Sequence, residues 1–310
     1  MDMHIRTTFM AALLCSGMAM MTTPALAQDE TQPDGSGVAA ADLPAATELC
    51  QKAVEAMGGS AAIAEIKSVK LKMKMTMEDH MGGPEIDYVD AICVLPNKLH
   101  LTAHFKDGTS AVAVFDGKHG WSSEPGMEGY NVMSPEEFGM FSIMVPHTLL
   151  LSLDQHMGEK KTVEMKSIDG TDYARVDVKN KEGAPVGSLM IDPASGKIGA
   201  FGIDNEMMGM MMMVNFSKWE DVKGIMLPTE AKMDAAFMQM ALGYSDFAFN
   251  TAEESLFKMP AEVAEEIKAM EEDGGYDIET ISIHPADDDD DDDDGIDDDD
   301  DDDDDNDDRS

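Results

Sequence analysis

Basic residues are scarce in this chain. Its 310 residues hold 22 Lys and Arg against 63 Asp and Glu, a formal net charge of −41. Residues 287–308 alone contain nineteen Asp, and outside that tail residues 28–286 still carry −23. Nucleic-acid affinity comes mostly from Lys and Arg displacing counterions from phosphates, so no nucleic-acid partner is expected, nor adhesion to an anionic membrane surface. Cysteine is nearly absent, with only Cys15, Cys50 and Cys93, and no CxxC or mixed Cys/His spacing offers a zinc site. No apolar run reaches the roughly eighteen residues of a membrane-spanning helix. Missing too are a GxGxxG after a strand, a P-loop, HExxH and GxSxG. These absences lower the expectation of an enzyme, and no cofactor is expected.

What is present begins with an apolar run over 9–21, preceded by Arg6 and followed by Ala25-Leu26-Ala27. That pattern reads as a signal peptide over 1–27, cut after Ala27. Lipoprotein processing at Cys15 is the rival, but it calls for a small residue where Leu14 stands. The mature chain is therefore expected to be periplasmic or secreted. There Cys50 and Cys93 can form one disulfide or remain two small buried hydrophobes, and the apolar run 91–95 around Cys93 favours the second. Residues 28–45, rich in Pro, Gly, Asp and Ala, read as a flexible linker. Residues 273–310 read as a disordered, self-repelling acidic tail, which leaves a body over 46–272.

The body opens helically. Thr47 is a candidate N-cap for a helix with Leu49, Val54 and Met57 on its apolar face, stopped at Gly58-Gly59. Ser60 can cap a second short helix through Ile66. The period then drops to two. Over 70–77, Leu71, Met73, Met75 and Met77 share one face, with Lys70, Lys72, Lys74 and Thr76 on the other. Over 98–106, Leu99, Leu101, Ala103 and Phe105 take the inner face. Such alternation predicts antiparallel strands with one wet face. Further strands are expected over 86–95, 111–115, 163–168, 173–178, 188–191, 198–203, 210–219, 229–235 and 244–249, separated by turn signals such as Pro96-Asn97, Asp116-Gly117 and Ser195-Gly196. Residues 134–153 break the pattern, with Pro135 suited to a first helical turn and a second helix after Pro146. A closing helix is expected over 261–270. One strongly curved antiparallel sheet with helices at its start, middle and end is a mainly β, α+β fold, and it excludes alternating βα architectures.

Methionine is the unusual abundance. Of 30, 24 lie within 46–272, with clusters at Met73-x-Met75-x-Met77, over 207–213, and at Met238-x-Met240. They suit adaptable core filling, a deformable apolar cavity for acyl chains, or a site for a soft cation such as Cu(I) or Ag(I). Their place on amphipathic strands favours core or cavity. His100 and His104 share a strand face roughly 13 Å apart, too far for one ion, and are expected on the wet side. His119, beside Trp121, suits a positional role in a turn. No metal site is expected from these residues. In the tail, Asp290, Asp292, Asp294 and Gly295 imitate a calcium loop, but Asp301 stands where the loop's bidentate Glu belongs. A solvating tail and one that docks on a basic protein partner fit equally.

Four segments taken together are AMGGSAAIAEIKSVKLKMKM (56–75), VFDGKHGW (114–121), SLMIDPASGKI (188–198) and KWEDVKGIMLPTEAKM (218–233). In this order they resemble the outer-membrane lipoprotein-sorting protein group, the LolA-like superfamily of periplasmic carriers, over about 46–260. The resemblance implies an incomplete β-barrel whose helices form a lid over an apolar cavity. It also implies a non-enzymatic carrier or sensor for acyl chains, a lipoprotein or another hydrophobic ligand. Combined with strand parity, it implies Met73, Met75, Met77, Leu99, Leu101 and Phe105 as cavity lining, with Trp121 near a rim. The best-understood carriers of this kind latch the lid with a barrel arginine. Here the body has only Arg175, whose neighbours Tyr173 and Asp177 leave its strand face open. Two alternatives stand beside the carrier: a Met-rich soft-metal binder, and an envelope interaction protein with a filled core and an acidic docking tail.

Overall fold

The computed structural model describes residues 43–77, 85–168, 170–205, 210–235 and 238–272; the expected signal peptide, most of the expected linker and the acidic tail lie outside them. The chain starts with helices α1 (Ala46–Ala56) and α2 (Ser60–Ala64). Six strands follow: β1 (Ser68–Met77), β2 (Ile86–Val94), β3 (Lys98–Phe105), β4 (Ser110–Phe115), β5 (Gly120–Ser123) and β6 (Asn131–Met133). Helices α3 (Pro135–Met144) and α4 (His147–Ser152) then lead to β7 (Met157–Ile168), β8 (Thr171–Asn180), β9 (Pro185–Ile191), β10 (Ile198–Asn205), β11 (Met210–Val222), β12 (Ile225–Ala235) and β13 (Met238–Phe249). A 3-10 turn (Glu254–Phe257) and helix α5 (Ala261–Glu272) complete the described chain.

The thirteen strands form one antiparallel sheet in the order β6-β5-β4-β3-β2-β1-β13-β12-β11-β10-β9-β8-β7. It is open and curved rather than closed into a barrel, because β6 and β7 are its two edges. The first half of the chain builds outward from β1 to one edge. The second half starts at the other edge and returns until β13 pairs with β1, with Met73 opposite Tyr244 and Met75 opposite Leu242. The link from β6 to β7 must therefore cross between the two edges, and α3 and α4 are that link.

Period-two alternation set the inner face as expected. Leu71 faces Ala91, Ala91 faces Leu101, and Leu101 faces Ala113, all buried in one core. The two short strands β5 and β6 were not among the expected strands; Gly120-Trp121-Ser122-Ser123 and Asn131-Val132-Met133 are too short to show a period. Helix α1 starts at Ala46 with Ala45 as its N-cap, so Thr47 lies inside the helix rather than capping it, and Ser60 is the first residue of α2 behind Gly59. Gly58 does end α1. It sits at φ +122°, and an added Cβ would run into the carbonyl oxygen of Gly224. That close approach lets the Met226 N–H donate to Met57 O at 3.0 Å, tying the helix end to the β11–β12 hairpin.

The outer face is not wet throughout. The 3-10 turn and α5 cover part of it, and Val114, Trp121, Phe257, Val263 and Ile267 form a small second core there. His100 lies under this roof, with its ring 6.2 Å from Phe257 and edge-on to it. His104 remains on the open part, stacked on Tyr88 and 3.1 Å from Asp90 Oδ2. No helix among the described residues is long and apolar enough to cross a membrane.

Cys50 and Cys93 are free and buried. Burial opposes the thiolate and pushes Cys50 up to about 11 and Cys93 up to about 12. Neither thiol is expected to react with a maleimide at pH 8 in the native protein, and both should react once urea exposes them. Labelling followed by mass spectrometry checks this; a mature chain that takes up no label in urea without reductant would have a disulfide instead.

Candidate ligand site beneath the helical lid

Helix α3 packs against the inner face of the sheet, touching β10 and placing Phe141 and Met144 around one space with residues of β1–β4. Beneath it the floor is made of small residues: Ala103 pairs directly with Ala111, and Leu101 with Ala113. Met73 and Met75 form one wall, Ile86 and Val89 another, and Phe141 and Met144 hang from α3 as the ceiling. The lining is almost wholly apolar. The space measures about 10 Å³, room for about one water. With α3 docked, Phe141 and Met144 occupy what the alanine floor leaves open.

Polar contacts fasten the helices to the sheet, among them a hydrogen bond between the Thr148 side chain on α4 and Cys93 on β2. Tyr244 on β13 donates its hydroxyl to Met144 O at the end of α3, 2.9 Å away. At the start of α4, His147 Nε2 lies 3.1 Å from Pro228 O on β12. A carbonyl can only accept, so Nε2 carries the proton. The imidazole is fully buried, edge-on to Tyr244 at 4.7 Å and near Phe247 at 5.4 Å. Burial opposes its charged form and brings its pKa down to about 4. Its Nδ1, Ser152 Oγ and Thr229 Oγ1 are buried with no hydrogen-bond partner among the described residues. Such atoms cost the docked state free energy that opening to water would return.

The residues expected at the site divide into four groups. Met73, Met75 and Leu101 line the space under α3. Leu99 and Phe105 share that inner face and are buried in the main core, outside this lining. The Met77 side chain lies outside the described residues, while its backbone pairs with Met240. Trp121 is on the other face of the sheet: it pairs with Val114 and packs under α5, because its strand position has the outward parity. Arg175 is turned outward, 3.1 Å from Glu164 and 3.5 Å from Asp177, while Tyr244 and His147 hydrogen-bond across the helix–sheet contact. His119 sits in a turn in which Asp116 Oδ1 accepts its backbone N–H at 2.8 Å. Ile86, Val89, Ala103, Ala111, Ala113, Phe141 and Met144 also line the space and were not among the residues expected from the sequence. The small side chains at alternating positions 111 and 113 were the one available signal. Among the described residues no group of three or more His, Cys, Asp and Glu is placed to hold a metal ion.

Because His147 is neutral when folded and protonates near 6.5 when unfolded, the unfolded chain binds an extra proton between those two pKa values. Stability from this group is fully present above about 6.5 and is lost as pH falls towards about 4, by about 3 kcal/mol in all. His147→Gln keeps a donor but removes the titration. Its melting temperature should vary less between pH 6.5 and 4 than that of the native protein, as read by calorimetry across that range.

No protein-family model matches the chain, and no curated protein matches it in sequence. Solved structures match it in fold. A LolA superfamily protein from Nitrosomonas europaea superposes with a TM-score of 0.50 at 14% identity, covering 70% of this chain and 98% of that one. A putative outer membrane lipoprotein-sorting protein domain from Vibrio parahaemolyticus gives 0.44 at 13% identity, over 69% of this chain and 97% of that one. A DUF1329 family protein from Desulfovibrio piger gives 0.43 at 12%, over 69% and 97%. The open, curved antiparallel sheet with helices laid across its inner face is the fold this chain shares with the LolA superfamily protein.

Proposed function

We propose that the protein is a non-enzymatic, periplasmic carrier that holds an acyl chain, free or as part of a lipoprotein, between α3 and the alanine floor of β1–β4. The observation that carries this reading is the construction of the site: an apolar face floored by Ala103, Ala111 and Ala113 and covered by two short helices tethered at Met144 and His147. A permanent core would more naturally fill that floor with larger side chains.

The energetics set the length of the ligand. Lifting α3 together with the start of α4 loses at least two hydrogen bonds at about 1 kcal/mol each and exposes Phe141 and Met144 at about 2 kcal/mol each. A buried methylene returns about 0.8 kcal/mol, so about eight methylenes are needed to offset opening. Chains of six carbons or fewer should not bind, and chains of twelve to sixteen should. The exported location rests on the signal-like segment 1–27, which lies outside the described residues, and the lipoprotein form of the cargo rests on the shared fold alone.

Native mass spectrometry of mature protein purified from its own envelope, with organic extraction, tests the proposal. A near-stoichiometric acyl species is expected; an unloaded protein that gains no mass when C16 lipid is offered would sink it. Ala111→Phe should reduce uptake of a fluorescent C16 fatty acid at least tenfold. Its overpacking cost, about 1–3 kcal/mol, is read separately from urea unfolding. Tyr244→Phe removes the donor to Met144 O and should weaken the closed state by about 1 kcal/mol, raising the open population and the stopped-flow uptake rate about fivefold.

A further inference from the structure

The outer face of the sheet carries a column of lysines where the 3-10 turn and α5 do not reach. Lys70, Lys72 and Lys74 alternate along β1 with the buried Leu71 and Met73, so all three point outward. Lys70 and Lys74 are exposed and stand in no ion pair among the described residues. Lys72 is half-buried, 3.4 Å from Asp246 Oδ2 and 4.5 Å from the centre of the Tyr88 ring. On the β13 side these lysines are opposed by Ala248, Ser245 and Gly243, which are small and uncharged. A Cβ at Gly243 would meet nothing within 4 Å. Across β13 lie Glu230 and Lys232 on β12, both exposed: Glu230 is 3.7 Å from Lys218, and Lys232 stands in no ion pair among the described residues. The outer surface of β13 is therefore a shallow trough with a bank of lysines on β1.

We propose that the acidic run over 287–308 docks on this trough of its own chain, with its carboxylates on Lys70, Lys72 and Lys74. Charge selects the occupant: the trough gathers cations on a body that carries −23 over 28–286, and the run holds nineteen Asp. Spacing agrees with charge. Alternate residues of β1 stand about 6.8 Å apart, as do alternate side chains of an extended acidic segment, so every second carboxylate meets a lysine. A run of Asp offers that match in many registers. Reach is ample as well. Helix α5 packs over β4 and β5 through Val114 and Trp121, and β4 is three strands from β1, about 15 Å along the same face. Residues 273–286, between the end of α5 and the run, can span up to about 45 Å. Exposed ion pairs are individually weak, but the tether keeps the run at high local concentration around the trough. The trough is on the opposite face of the sheet from the space beneath α3, so this proposal and the acyl carrier stand or fall separately.

The test is zero-length carbodiimide coupling of the full mature chain, in an equal mixture of isotope-labelled and unlabelled protein, read by mass spectrometry of the digest. At low ionic strength the products should join residues 287–308 to Lys70, Lys72 or Lys74 within one chain. At about 1 M NaCl, where charges are screened within about 3 Å, they should fall at least fivefold. Acetylation with limiting reagent gives a second reading. In a full-length variant with every Asp of the run replaced by Asn, Lys70 and Lys74 should react at least threefold faster than in the native chain. Lys161, exposed on β7 at the far edge of the sheet, is the control and should change little. Couplings spread evenly over all lysines, or joining a labelled to an unlabelled chain, would overturn the proposal. Unchanged acetylation of Lys70 and Lys74 in the Asn variant would overturn it equally.

Discussion

The structure depends on how one apolar sheet face is covered. A sheet buries one face against another layer, and here no second sheet is available. The chain instead uses the link between its own two edges. Since β6 and β7 are consecutive strands at opposite ends of the sheet order, the residues joining them are led across the inner face, and they bring Phe141, Ile143, Met144, Leu150 and Leu151 into the core. The cover is therefore short, helical and attached at both ends. Helix α1 assists at the far edge, where Thr162 Oγ1 on β7 donates to Pro44 O, 2.7 Å away, just ahead of the helix.

A cover of this kind is held more loosely than a core helix. Its polar tethers include a tyrosine hydroxyl, a neutral imidazole and the Thr148 side chain on Cys93, and three buried polar atoms near it have no partner among the described residues. Gly139 sits in the middle of α3, with nothing within 4 Å of where a Cβ would be. Glycine there lowers helix stability by about 1 kcal/mol without serving any close packing. These features lower the cost of lifting α3 while leaving the sheet beneath intact. The second core, on the outer face, stands apart from that motion: α5 packs on Val114 and Trp121, away from the inner cover, and leads out of the body towards the acidic tail.

Period-two patterning carried most of the architecture. Alternation marked β1 and β3, turn signals bounded the other strands of six residues or more, several over fewer residues than they span, and helices were expected at the break over 134–153 and at both ends of the body. Alternation also gave Met73, Met75, Leu99, Leu101 and Phe105 their common face. Parity is a local property, though, and local signals fail where an element is short. Trp121 has its face set by a four-residue strand and its pairing with Val114, so an aromatic that looked like a rim residue is part of the outer core. His100 was taken for a wet-face residue for a similar reason, since its roof, Phe257, comes from 157 positions along the chain.

The amino-acid sequence by itself determined the class of fold, the inward side of the long strands and the acidic character of the whole. Those follow from side-chain periodicity and charge, which neighbours along the chain already express. Only the tertiary structure decided which residues close the site. Tyr244 meets Met144 across 100 positions, and His147 meets Pro228 across 81. The same holds for the trough beside Lys70, Lys72 and Lys74, which exists because β13 returns to pair with β1. Contacts of this range depend on strand order, and strand order is a property of the whole sheet that no single segment encodes.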